Sequence, residues 1–214
     1  MIKAVIFDMD GVLRDSAKIN VLSAKKSFQQ FGLTLDARDK DIIVGRHHDD
    51  YLPLLRRKYR FDAKKYKLLN SRNYFTLLKD VRLLPFTKKT LLLLRQNKLK
   101  LALATASNRN DVEEFLIHKF SLSNFFEVII TFEDCRQRKP NPEIYLNVLG
   151  KLHLPAREAV AVEDSEVGVE AAKRAGLKCI AIPNGYTKNE NFSRADLIIH
   201  SLAELDLKLL SRLA

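Results

Sequence analysis

From Thr87 to His200 the chain alternates between stretches at helical spacing and short apolar runs rich in Val, Ile, Leu and Ala. The pattern predicts helices over Thr87–Asn97, Arg109–Lys119, Pro142–His153 and Val167–Ala175. Between them it predicts strands over Lys100–Thr105, Glu127–Phe132, Ala159–Val162, Cys179–Pro183 and, shorter, Leu197–His200. Asn141 stands as the expected N-cap of the third helix with Pro142 at its first position, and Gly176 stops the fourth. Strands that alternate with helices become parallel neighbours, because parallel pairing needs a long crossover. The expectation is an α/β fold, a Rossmann-like doubly wound parallel sheet covered on both faces. The apolar run Ala4–Phe7 adds one more buried strand at the start.

Between that first strand and Thr87 the texture is helical. Ile19, Leu22, Phe28 and Phe31 recur at helical spacing over Ala17–Phe31, with Ser16 as a candidate N-cap and Gly32 as a stop. Further helices are expected over Ala37–Val44, His48–Tyr59 and Ala63–Leu78, and no convincing strand lies between Val12 and Leu99. The organisation expected is a core of 1–15 plus 84–214 with an inserted helical cap, 16–83.

Charge follows the same division. Ser16 to Leu83 holds sixteen Lys/Arg against seven Asp/Glu, a net of +9 out of +11 for the whole chain. A basic segment steers small anions or attracts nucleic acid, and it also suits a plain solvated helix surface. No zinc-finger spacing or RNA-recognition motif accompanies it, so nucleic acid is not expected as a partner. The longest apolar runs, such as Leu91–Leu94 and Val128–Phe132, are far too short to span a membrane. No secretory signal is visible, and two cysteines, Cys135 and Cys179, make no disulfide framework, which places the chain in the cytoplasm with reduced thiols. A monomer is the default.

In doubly wound sheets reactive groups gather beyond the carboxyl ends of the strands. The first strand delivers Asp8 and Asp10, which start out on one side of an extended chain, and Gly11 then lets the backbone turn. Two carboxylates that close are unfavourable unless a cation, a proton or solvent intervenes. The second strand delivers Thr105, followed by Ala106, Ser107 and Asn108. Lys139 lies in the loop after the third, between Arg138 and Pro140, and the fourth delivers Glu163, Asp164 and then Ser165. Taken singly, Thr105 also reads as a hydroxyl bonded to its own backbone, Lys139 as a solvated lysine and Glu163 as a surface acid. The Asp8–Asp10 pair weighs against those readings together, because it calls for a cation and Asp164 is the natural further ligand. Ser165 suits a helix cap better than a nucleophile. Cys135 lacks the arginine of a C-x5-R phosphatase, since Asn141 stands there, and His118, His153 and His200 read as structural or surface residues.

These four segments, Asp8–Ser16, Leu103–Ser107, Arg138–Pro142 and Val162–Gly168, resemble the motifs of the haloacid dehalogenase superfamily of phosphohydrolases. The helical insertion is similar to the cap of its beta-phosphoglucomutase-like and phosphoglycolate phosphatase-like branch. The resemblance spans essentially the whole chain and implies a Mg2+-dependent phosphatase acting on a small phosphorylated metabolite. It implies Asp8 as a nucleophile that becomes an aspartyl phosphate, and Asp10 as the acid and base. Mg2+ would be held by the Asp8 side chain, the Asp10 backbone carbonyl and Asp164, with Glu163 close by. Thr105 and Lys139 would bind the phosphoryl group.

Dehalogenase members lack the second aspartate that Asp10 supplies, so phosphate esters are favoured. Phosphonate chemistry needs a particular cap lysine, and nothing singles one out. Sugar-phosphate mutases of the branch carry a histidine where Asn20 stands and an arginine where His48 falls, which favours a phosphatase. A mutase, or a non-catalytic binding module with a basic cap, are the alternatives. Arg46, His47 and His48 are expected to face the leaving group, Ala106, Ser107 and Asn108 to line the substrate, and Arg109 to bind its carboxylate or second phosphate. Phosphoglycolate, sugar phosphates and nucleotide monophosphates all stay open as substrates.

Overall fold

The structure, a computed structural model, describes residues 1–43 and 48–213. Among these residues six strands form one parallel sheet: β1 (Ala4–Phe7), β2 (Lys100–Ala104), β3 (Val128–Ile130), β4 (Ala159–Glu163), β5 (Lys178–Ala181) and β6 (Leu197–Ile198), in the order β3-β2-β1-β4-β5-β6. Every residue of β1 is buried, as a central parallel strand between two helical layers requires. Val5 and Phe7 face one apolar cluster, and Ala4 and Ile6 face the other. Phe7 pairs with Leu103 on one side and Val162 on the other, so three strands end level. The chain builds outward from β1 in one direction and then from β4 in the other. The crevice between their carboxyl ends is the switch point of the sheet.

Helices α5 (Thr87–Gln96), α6 (Arg109–Val112) and α9 (Leu207–Ser211) cover one face through Leu91, Leu94, Val112 and Leu210. Helices α7 (Glu143–Leu152) and α8 (Glu166–Arg174) cover the other through Ile144, Tyr145, Val148 and Val169. Some ends differ from expectation. The helix from Arg109 widens into π-helical turns over Glu113–Lys119. β3 stops at Ile130 because Thr131 opens a capping box with Asp134. α7 starts at Glu143, with Pro142 already at helical angles and the Asn141 Oδ1 accepting the Glu143 N–H at 3.0 Å.

The segment between β1 and α5 is helical: α1 (Ala17–Gln29), α2 (Ala37–Ile43), α3 (His48–Leu55) and α4 (Ala63–Leu78). It has its own apolar cluster, centred on Phe28, whose ring meets Phe61 edge-on at 4.8 Å. Its two connections to the sheet run side by side: the Asp15 N–H donates to Arg82 O at 3.0 Å and the Leu84 N–H to Leu13 O at 2.9 Å. Ile19 and Leu78 pack into the sheet's own cluster, so the ends of the insertion are anchored there. Ser16 sits at the N-cap position of α1 but makes no capping bond; its hydroxyl donates to Asp10 instead. The Ser16 backbone stands at φ −105°, ψ −12° and not at the extended angles from which a capping oxygen accepts the first-turn N–H groups. No described helix is long and apolar enough to cross a membrane.

Candidate active site

The carboxyl ends of β1 and β4 deliver the acids. The Asp8 N–H continues the pairing of β1 by donating to Val162 O at 3.0 Å, which fixes its side chain at the switch point. The chain then turns at Gly11, which has φ +79°, and a Cβ there would lie 1.9 Å from Asp164 Oδ2. Only glycine lets this loop pass so close to Asp164. Asp8, Glu163 and Asp164 each offer an oxygen, all within 4.8 Å of one another.

Lys139 reaches across to this group. Its Nζ donates to Asp8 Oδ1 at 2.7 Å, Glu163 Oε1 at 2.5 Å and Ala104 O at 3.1 Å. Glu163 is fully buried and also accepts from the Tyr145 hydroxyl. Gly168 makes room for it, since a Cβ there would fall 2.0 Å from Glu163 Oε2. On the other side the Asn184 Nδ2 donates to Asp164 Oδ2 at 2.7 Å.

Three buried carboxylates face one ammonium, and their protonation reflects it. Burial pushes Asp8 up from 3.8 to about 7, with Lys139 opposing and the charges of Glu163 and Asp10 adding to the rise. Burial, with the charges of Asp8, Glu163 and Asp10 adding to it, pushes Asp164 well above the carboxylate range. Burial works against the charge on Lys139, yet Asp8 and Glu163 hold it above the ordinary lysine value. A pocket of hard oxygen donors with uncompensated negative charge fits a divalent cation of the Mg2+ kind. Glu163 already spends Oε1 on Lys139 and Tyr145, which leaves Asp8 and Asp164 as the freer ligands.

Asp10 has different surroundings. Its Oδ1 accepts from Arg14 Nε at 2.7 Å and from Ser16 Oγ, and its Oδ2 accepts from Ser107 Oγ at 2.6 Å. Burial alone would raise it, but the charge of Arg14 and these bonds hold it below the usual range. Its side chain is not part of the carboxylate cluster.

A cleft of about 470 Å³ opens above these groups, between the sheet edge and the helical insertion. Asp8, Asp10, Ala106, Ser107, Asn108, Lys139, Asp164 and His48 all line it. Asn108 also caps α6, accepting the Asp111 N–H at 2.7 Å. Burial lowers the His48 imidazole, whose Nε2 lies 3.5 Å from Asp49. Thr105 is fully buried, its Oγ1 accepting the Ser107 N–H at 3.1 Å. Arg109 does not join the site: its guanidinium pairs with both oxygens of Asp134 at 2.8 and 3.0 Å, and its N–H donates to Glu133. Arg46 and His47 lie outside the described residues.

Sequence reasoning passed over Arg14, Asp111, Tyr145 and Asn184. Arg14 had one signal, a single positive charge directly after Val12 and Leu13 and among Asp8, Asp10 and Asp15. Tyr145 sits among Ile144, Val148 and Leu149 and reads there as core packing.

A doubly wound sheet with a carboxylate cluster and a buried lysine at its switch point defines a class first: an α/β enzyme that handles an anionic group beside a cation. The family follows from comparison. Residues 5–182 match the family model of haloacid dehalogenase-like hydrolases. The chain is 32% identical to a phosphorylated carbohydrates phosphatase of Thermotoga maritima, over 83% of each chain. It is 28% identical to the beta-phosphoglucomutase of Bacillus subtilis, over 97% of this chain and 93% of that one. Among solved structures, CbbY from Rhodobacter sphaeroides in complex with phosphate superposes with a TM-score of 0.86 at 27% identity, covering 99% of this chain and 100% of that one. The chain belongs to the haloacid dehalogenase-like hydrolases.

Proposed function

We propose that this chain is a Mg2+-dependent phosphatase that hydrolyses a small phosphorylated metabolite through an aspartyl phosphate on Asp8. The observation that carries the reading is Lys139, which joins Asp8 to Glu163 beside the carboxylate cluster. A lone ammonium in a ring of carboxylates neutralises a phosphoryl oxygen while holding the attacking carboxylate in line. Asp8 and Asp164 side chains, with the Asp10 main-chain carbonyl, would hold the cation and Glu163 would hold Lys139. Bound there, the ion keeps Asp8 ionised and draws charge from the phosphoryl group.

The residues of the chain then carry two steps. In the first, Asp8 attacks phosphorus and the bond to the ester oxygen breaks, while Asp10, ionised at rest and needing to take up a proton from solvent as the ester binds, passes that proton to the ester oxygen. In the second, water attacks the aspartyl phosphate, Asp10 takes the proton, and Asp8 is released with phosphate. Backbone and side-chain donors of Ala106, Ser107 and Asn108 line the phosphoryl end of the cleft.

Asn20, Asn70, Ser71 and Lys67 line the opposite side and suit hydroxyl groups, which supports a phosphorylated carbohydrate as the substrate class. The Thermotoga maritima relative points the same way. Asn20 and His48 both face the cleft, where mutases of the branch place a histidine and an arginine. That favours hydrolysis over isomerisation. The test is Mg2+-dependent phosphate release from a panel of sugar phosphates, with phosphoenzyme trapping. Turnover that persists in Asp8→Asn, or a panel yielding only isomerised sugar phosphate, rejects the reading.

A further inference from the structure

We infer that Arg14 is the positioning residue for Asp10, fixed for that task by Asp111 and by Tyr74 of α4. The inference rests on the reading above, in which Asp10 exchanges the proton with the leaving oxygen and with water.

Arg14 is fully buried, at 0% relative exposure. Arginine is almost never found so deep unless paired. Its Nη1 and Nη2 fork onto Asp111 Oδ1 and Oδ2 at 2.7 and 2.8 Å, and its Nε donates to Asp10 Oδ1 at 2.7 Å. Nη2 also lies 2.9 Å from the Tyr74 hydroxyl and 3.3 Å from Ser107 Oγ. The Tyr74 hydroxyl donates in turn to Asp111 Oδ2 at 2.9 Å. One face of the guanidinium covers the Phe115 ring at 4.9 Å. Asp111 and Phe115 belong to the sheet side of the cleft, and Tyr74 to the helical insertion.

This arrangement does more than fill the interior. Asp111 alone neutralises the buried guanidinium through the fork, the geometry that suits arginine best. The remaining Nε is aimed at a carboxylate at the cleft, whose side chain is 25% exposed. Asp10 is thereby held from two directions, by Arg14 and Ser16 on one oxygen and by Ser107 on the other. Proton transfer requires its carboxyl within hydrogen-bond reach of the reacting oxygen, and a shift of about 1 Å costs on the order of 100-fold in rate. Because Tyr74 comes from the insertion, both walls of the cleft set that reach.

Arg14→Lys tests this, since it keeps the charge and removes the fork. The readout is the ratio of kcat/KM for an alkyl phosphate, glycerol phosphate, to that for p-nitrophenyl phosphate. An alkoxide needs a proton to leave and p-nitrophenolate does not, and kcat/KM reports the first chemical step. Arg14→Lys should lower kcat/KM about 10- to 100-fold for glycerol phosphate and less than about threefold for p-nitrophenyl phosphate. The second step needs Asp10 with either substrate, so p-nitrophenol should also appear as a stoichiometric burst. A residue that served only the fold would lower both substrates alike and give no burst.

Asp10→Asn is the control and should show the same split and burst. If Asp10→Asn shows them and a folded Arg14→Lys does not, the inference about Arg14 is overturned while the phosphatase reading stands. If Asp10→Asn shows neither, the reading of Asp10 itself fails. Should Arg14→Lys not fold by thermal melting, Tyr74→Phe removes a single hydroxyl from the same cluster. It should give the same split at about threefold; equal losses on both substrates would overturn the inference.

Discussion

Asp8 and Asp10 stand two positions apart on one turn of chain and live in opposite electrostatic worlds. Around Asp8, three buried carboxylates cluster, two of them held by the Lys139 ammonium, and burial pushes Asp8 up to about 7. Around Asp10, a forked guanidinium and two hydroxyls outweigh burial and hold it below the ordinary range. One side of the turn is short of positive charge and the other already has it. Environments that drive two neighbouring acids apart mark different tasks. In the proposed reaction the undercompensated aspartate would be completed by a cation and a phosphoryl group, and the compensated one would be kept in place to move a proton.

The largest effect expected from breaking this contrast is on turnover. Asp8→Asn should lower kcat/KM by at least about 1000-fold with any phosphate ester, because no other carboxylate occupies its place in line. Asp10→Asn should lower kcat/KM about 100- to 1000-fold on alkyl esters only, while kcat falls on all esters because the second step needs Asp10. Steady-state kinetics on matched esters check both, and equal losses across ester types would erase the distinction.

Next comes Lys139, the one ammonium that the carboxylates share. Lys139→Met should destabilise the metal-free protein by about 3–5 kcal/mol, because it leaves buried charges without their partner. Urea unfolding in chelator measures this. Mg2+ should restore part of the loss by binding only the folded form, whereas a loss indifferent to Mg2+ would contradict the cation site.

The pH response separates the two aspartates in sign. A carboxyl raised in the folded state binds its proton more tightly there than in the unfolded chain. The Asp8 contribution is therefore present at low pH and lost as pH rises from about 4 through about 7, a fall of roughly 4 kcal/mol without metal. Asp10, lowered by folding, contributes above its unfolded value and loses that only in acid. Unfolding curves across this range in chelator should slope downward, and Asp8→Asn should make the slope shallower, with Asp164 carrying the rest. A slope unchanged in Asp8→Asn would assign it to other groups.

Much of the site was legible because its residues are forced to strand ends. β1, β2 and β4 are short apolar runs that stop abruptly at Asp8, Thr105 and Glu163, and a doubly wound sheet brings those ends together whatever the intervening length. Lys139 was legible from its place in the loop after β3. The hidden part sits where side-chain direction, rather than chain position, decides. Arg109 follows the second strand end as closely as Asn108 does, yet Asp134 turns it away from the cleft. Arg14 and Asp111 are distant in sequence and meet only through packing. Ser16 looks like a cap by position, but its backbone is not extended as a cap requires and its hydroxyl donates to Asp10.

The smallest expected effect separates the two neighbourhoods most finely. The Tyr145 hydroxyl donates to Glu163, which it shares with Lys139; the Ser107 hydroxyl donates to Asp10, which it shares with Arg14 and Ser16. Removing one hydrogen bond to a buried charge costs about 1.5–3 kcal/mol, and less where other donors close the gap. Tyr145→Phe leaves Lys139 as the sole close donor to Glu163 Oε1, in a region already short of positive charge, so about 2 kcal/mol should be lost in chelator. Ser107→Ala leaves Asp10 with a guanidinium and a second hydroxyl, and should cost about 1 kcal/mol or less. Mg2+ should shrink the first loss, because added positive charge eases the demand on Glu163, and leave the second unchanged. Paired urea titrations with and without Mg2+ read the difference directly. Equal losses that ignore the ion would mean that the two aspartates share one electrostatic setting after all.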